Sequence, residues 1–180
     1  MKKQIVQFHI NKMYTTIIQS LDRNKNVFKE LLKGVPQTEF LWKQEPDKWS
    51  LLEIVCHIRD EEVEDFRTRV QCVLENPTLP PPPIDPVAWV KERKYIEQDY
   101  DSVLKTFIDE RERSVEWLQN LNDPKWDNSY LHPNFGPMSA RLFLSNWLAH
   151  DLLHIRQIVK LRFDYLKHLS SEDLSYAGNW

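Results

Sequence analysis

Glycine is nearly absent: three residues in 180. A sheet-rich fold turns its chain at many tight corners that favour glycine, so three glycines argue against one. Cysteine is equally sparse. Cys56 and Cys72 are expected on one helix, where sixteen residues of rise place them roughly 24 Å apart, too far for a disulfide. Unpaired thiols fit a reducing cytoplasm. No run of about 18 apolar residues occurs, so no segment is expected to span a membrane. The opening "MKKQIVQFHINKMY" has a basic start but no uninterrupted apolar stretch, which does not fit a signal peptide. Excess positive charge is missing too. With 24 Lys and Arg against 27 Asp and Glu, the net charge is −3, and no nucleic-acid surface is expected.

What is present suits one globular domain over residues 1–180. Apolar residues make up 41% and charged residues 28% of the chain, which is long enough for a real core. Eleven prolines punctuate helices. A first helix is expected from Tyr14 to Lys33, stopped by Gly34 and Pro36, with the residues before it an arm or an extension. The second runs from the N-cap Ser50, with Glu53 completing a capping box, to Asn76 before Pro77. "PTLPPPPIDP", Pro77–Pro86, reads as a stiff extended connector able to cross the end of a bundle. A short helix follows Asp85, with Pro86 in its first turn. Long helices are expected over Asp99–Leu121 and from the N-cap Ser139 to Tyr165. "DNSYLHPNFGPM" reads as loop and "SSEDLSYAGNW" as a short irregular tail. No strand periodicity stands out. The expected fold is therefore all-α: a four-helix bundle with a proline-rich crossover between the second and third long helices.

"WLAHDLLHIRQ" places His150 and His154 about 40° apart on one helix face, where both imidazoles can reach one ion. Phe143 and Leu161 lie on the same line, and Trp147 and Gln157 flank it. The opposite side carries Leu148, Leu152, Ile155 and Val159. A helix apolar nearly all round is expected at the centre of its bundle, where buried imidazoles need partners or a metal. A third ligand must come from elsewhere: His9, His57, His132 or His168. His57 points away from the apolar stripe of the second helix, on a side with Glu53, Asp60, Glu61 and Glu64. That side is either a solvated acidic face or the wall of a cleft in which carboxylates orient an imidazole.

"KWSLLEIVCHIRDEE", "LPPPPIDPVAWVKERKY", "HPNFGPMSARLFLSNWLAHDLLHIRQI" and the closing "YAGNW" together resemble the DinB-like (YfiT-like) family of metal-dependent four-helix-bundle proteins. The resemblance runs from about Trp42 to the C-terminus. It implies a metal held by His57, His150 and His154, all three positions being filled. It also implies a homodimer. Family members of known activity are thiol-dependent S-transferases or isomerases; many others are described only as metal-dependent hydrolases.

Three imidazoles leave a coordination position open, as in catalytic rather than structural sites. The donor set suits zinc or nickel, then iron, cobalt or manganese. Such an ion activates a bound water or a low-molecular-weight thiol co-substrate. Glu61, one turn after His57, is the candidate proton acceptor. Gln157 is a candidate for binding substrate or orienting a ligand, and Trp147 for lining the cleft. Asp151 points away from the histidine face and is not cast as a base. His132, Asn134 and Phe135 are candidates to cap the cleft. The resulting expectation is a metal-dependent transferase or hydrolase acting on a small molecule. The alternative is a stress-response protein that binds a metal or small ligand without turnover.

Overall fold

The computed structural model describes the backbone of residues 2–178 and the side chains of residues 12–178. Helix α1 (Lys2–Leu32) extends the expected first helix towards the N-terminus, and Gly34, at φ +67°, follows its end. After the short α2 (Gln37–Phe40), the second long helix begins at Ser50. Its hydroxyl accepts from Glu53 N–H while the Glu53 carboxylate accepts from Ser50 N–H at 2.8 Å, the expected capping box.

This second helix is not uniformly α. It runs as α3 (Leu51–Asp60), a π-helical stretch (Glu61–Arg67) and α4 (Thr68–Glu75). The wider turn is fastened by Thr68 Oγ1, which donates to Val63 O at 2.7 Å. Such π segments cluster at functional sites. Here the widening lets Glu61, Glu62 and Phe66 all reach inward.

The proline tract leads into α5 (Pro86–Glu92), capped by Asp85 Oδ1, and then a 3-10 turn (Tyr95–Glu97). Helix α6 (Tyr100–Gln119) starts at the N-cap Asp99. Strands β1 (Ser129–His132) and β2 (Gly136–Ser139) form an antiparallel hairpin, pairing Ser129 with Ser139 and His132 with Gly136. This corrects the expectation of loop: two four-residue strands, one containing Pro137, are too short for a visible period of two. Gly136, at φ +71°, supplies the left-handed residue that the corner requires. Helix α7 (Ala140–Ser170) runs five residues beyond the expected end.

The bundle is α1, α3–α4, α6 and α7. Phe28 meets Phe107 edge-on and Tyr100 Oη donates to Leu32 O, so α1 and α6 run antiparallel. Asn24 reaches Asp151 and Arg162 reaches Leu31 O, so α1 and α7 run parallel. His57 lies against His154 and Glu62 accepts from Trp147, so the second helix runs antiparallel to α7 and therefore parallel to α6. Two parallel helices consecutive in the chain need a long return. Ten residues of extended tract span roughly 31 Å, close to the helix they follow. The tract therefore returns along the bundle rather than across its end. Tyr100 arrives stacked on Phe40, 4.3 Å between ring centres.

Two apolar clusters fill the interior. One gathers Phe28, Leu32, Ile54, Phe107 and Ile158; the other Leu21, Val70, Leu144 and Trp147. Between them lies a polar layer holding Arg111, Glu62, Asp151, His57 and His154. The helix buried on nearly every side is α3, covered by α6, α7, α5 and the 3-10 turn. It is not α7, as expected: Leu152 and Leu153 are 58% and 54% exposed, so one of its apolar faces is open.

Candidate metal centre

Helix α3 presents His57, and α7, antiparallel to it, presents His150 and His154 from successive turns. Their ligand-capable nitrogens all lie within 4.8 Å of one another. His150 Nε2 and His154 Nε2 are 2.9 Å apart. Glu61 Oε2 is 2.7 Å from His150 Nε2 and 3.7 Å from His57 Nε2. His57, Glu61 and His154 are buried and His150 is half-buried. Trp49 packs on the His57 ring at 4.8 Å, and Phe66 on the His150 ring at 4.9 Å.

Burial holds two of the rings neutral. His57 is pushed down to about 4, chiefly by desolvation, with Glu61 opposing. His154 is pushed down to about 3 by burial, with His150 and His57 adding to the effect. Neutral imidazole is the metal-binding form. The tautomer of His154 follows from Gln157, whose Oε1 accepts from Nδ1–H at 2.7 Å and leaves the Nε2 lone pair facing His150.

The donor set fits a cation. The His154 lone pair and a Glu61 carboxylate oxygen both converge on His150 Nε2, which carries at most one proton to share between them. His57 Nδ1 is buried with no hydrogen-bond partner among the described residues. A pocket this rich in lone pairs and poor in protons favours a divalent ion. Three histidines would hold it, with Glu61 alongside and a position open.

Behind the site lies a buried ion cluster. Arg111 donates to both oxygens of Glu62 (2.9 and 2.8 Å), both of Asp151 (2.6 and 2.7 Å) and Leu21 O at 3.3 Å. All five guanidinium N–H groups are thus engaged. Trp147 Nε1 donates to Glu62 at 2.8 Å and Asn24 to Asp151 at 3.0 Å. Glu62 follows Glu61 and Asp151 follows His150, so one arginine clamps together the two helices that carry the site.

A sequence profile of the DinB superfamily matches residues 20–158. The chain belongs to the DinB superfamily. Among solved structures, YfiT from Bacillus subtilis, described as a probable metal-dependent hydrolase with an unusual four-helix bundle topology, is similar in fold. It has a TM-score of 0.76 and 19% identity over 86% of this chain and 88% of that one. No curated protein matches the chain.

In this DinB-superfamily fold, His57, His150 and His154 come together and Glu61 joins them. Gln157 sits behind His154, on the ring edge away from the other histidines, and so fixes the orientation of that ring. Trp147 does not reach a cleft: it is fully buried, stacked on Phe66 and bonded to Glu62. The acidic side of the second helix is mostly enclosed: Glu53, Asp60 and Glu61 are buried, while Glu64 is exposed and paired with Arg93. Asp60 anchors the crossover, accepting from Arg59, Arg93 and Tyr95 Oη. Burial would raise its pKa, but these partners outweigh burial and hold it low. Of the other histidines, His132 Nδ1 accepts from Asn134 and Phe135 N–H, and His168 lies against Trp42. His9 lies outside the described side chains. Both cysteines are free. Among the described residues no helix is long and apolar enough to cross a membrane.

Arg111 was missed in the sequence. Its signal was there: it continues the core-facing stripe of Leu104, Phe107, Ser114 and Leu118, an arginine where a leucine belongs.

Proposed function

We propose that this chain is a metal-dependent enzyme acting on a small molecule. The observation that carries the reading is the convergence of three ring nitrogens and one carboxylate in a buried pocket. A zinc or nickel ion held by His57, His150 and His154 supplies Lewis acidity and lowers the pKa of a bound water or low-molecular-weight thiol. The chain's own residues do the rest. Glu61 Oε2, in reach of two of the rings, accepts the proton of the nucleophile. Gln157 holds His154 in the tautomer that offers Nε2. Trp49 and Phe66 shield the ligating rings from water. Water as nucleophile makes the reaction a hydrolysis; a thiol makes it an S-transfer. The hydrolytic reading is supported by the description of YfiT, and the thiol reading by the resemblance of the motifs.

Metal analysis of purified protein tests the premise. One transition-metal ion per chain is expected, lost in His57→Ala. Turnover of ester, amide and thiol-plus-electrophile panels, abolished in folded His154→Ala, then supports the enzyme. Stoichiometric metal with no turnover across the panels favours a binding protein instead. We also propose a homodimer. Leu142, Leu152 and Leu153, 40%, 58% and 54% exposed on α7, offer an apolar stripe that a second copy would cover.

A further inference from the structure

A cavity of about 540 Å³ lies one side chain away from the metal centre. Two of its walls are residues that touch the candidate ligands: Trp49, stacked on His57, and Gln157, bonded to His154. Its floor is apolar, from Ile54 and Leu161. Its rim is cationic, although the chain as a whole is acidic. Lys48, Arg156 and Lys160 line it against one carboxylate, Asp164, which is already paired with Lys160. Among the described residues Lys48 has only the exposed Asp47 at 3.4 Å, a contact of little strength in water. Arg156 has no hydrogen-bond or ion-pair partner among the described residues.

We infer that this cavity is the substrate subsite and that it takes a small organic anion. A carboxylate or phosphate sits on Arg156 and Lys48, and an apolar body lies against Trp49 and Leu161, with Trp49 and Gln157 between it and the histidines. A planar guanidinium with five free donors suits bidentate recognition of either group. An aromatic wall with a few polar groups at one end is the usual build of a small-molecule pocket. The inference deepens the proposed function and rests on it for the reaction, but the anion site itself needs no metal.

The test is calorimetric titration of zinc-loaded and metal-free protein with 3-phenylpropionate, phenyl phosphate and the uncharged 3-phenylpropionamide. At least one anion is expected to bind about tenfold or more tighter than the amide, in both metal states. Whichever anion ranks first identifies the head group. Arg156→Gln, an exposed substitution, is expected to weaken anion binding about five- to tenfold and leave the amide unchanged. Trp49→Ala is expected to weaken all three ligands. Equal affinity for anion and amide, no binding at all, or anion binding indifferent to Arg156→Gln overturns the inference. Anion binding with these dependences in a protein that holds no metal would uphold the subsite while removing the proposed reaction. Stoichiometric metal without anion binding would do the reverse.

Discussion

Arg111→Met strips the only cation from a cluster in which Arg111, Glu62 and Asp151 have side chains 2%, 1% and 2% exposed. Four charge-assisted hydrogen bonds to carboxylates disappear, and two acids are left buried without their counter-ion. Breaking a buried pair in this way costs about 3–5 kcal/mol, far above the 0–1 kcal/mol of an exposed ion pair. For a chain of this size, that lowers Tm by roughly 6–20 °C, at about 2–4 °C per kcal/mol. Replacing the whole cluster is a different matter. Arg111→Met, Glu62→Leu and Asp151→Leu, with Trp147→Phe to remove the indole donor that Glu62 had satisfied, takes out the charges and the buried donors together; Asn24 loses its bond to Asp151 but is half-buried and keeps access to water. Apolar replacement of a complete cluster is often neutral or stabilising. The assay is equilibrium urea unfolding with EDTA, so that metal binding does not contribute. A loss below about 1 kcal/mol in the single variant, or a quadruple variant as unstable as the single one, would refute the burial argument. The clamp also has a consequence for the site. Glu61 and His150 sit beside its two acids, so metal affinity is expected to fall by an order of magnitude or more in the single variant.

Acid should destabilise the metal-free protein through its histidines. His57 and His154 have folded-state values of about 4 and 3, below the unfolded value near 6.5. The unfolded state therefore binds more protons. Their contribution is complete above pH 6.5 and is lost as pH falls through the range from 6.5 towards 4 and 3, by up to about 2–3 kcal/mol per pH unit while both differ. Urea midpoints at pH 7, 5.5 and 4.5 check this, and a midpoint unchanged between pH 7 and 5 would contradict it. Gln157→Leu is expected to weaken zinc binding about 10- to 100-fold with the fold intact, measured by competition with a chromophoric chelator. An unchanged zinc affinity would deny Gln157 its orienting role. Leu152→Asp with Leu153→Asp should convert a sedimenting dimer to a monomer; a wild type that sediments as a monomer at high micromolar concentration removes the dimer.

The parts of the fold read from sequence are those set by local chemistry. Ser50 and Glu53 close a capping box because both partners lie within one turn. Asp85 and Pro86 start a helix because a side-chain acceptor and a fixed φ act on adjacent residues. The spacing of His150 and His154 places two imidazoles on one face wherever a helix forms. The readings that failed concern how faces are covered. Apolar residues around α7 suggested a central helix, yet α3 is the enclosed one, because α5 and the 3-10 turn come back to cover it. The acidic side beside His57 was open between a solvated face and a wall holding an imidazole, and it is mostly the latter: Glu53 goes to the cap, Asp60 to the crossover and Glu61 to the histidines, while Glu64 stays exposed on Arg93.

By itself, then, the sequence determined helix positions, the crossover and two of the three histidines, since each follows from residues a few positions apart. Choosing His57 from residues alone was open, and the family pattern was needed to select it. Only the tertiary structure decided what stands opposite what. Glu62 and Asp151 meet on Arg111, and Trp147 donates to Glu62, because antiparallel α3 and α7 and parallel α3 and α6 bring them together across 40 to 85 residues of chain. No local spacing encodes such meetings. They are set by the burial of two apolar clusters, and the polar layer between those clusters is where the site is built.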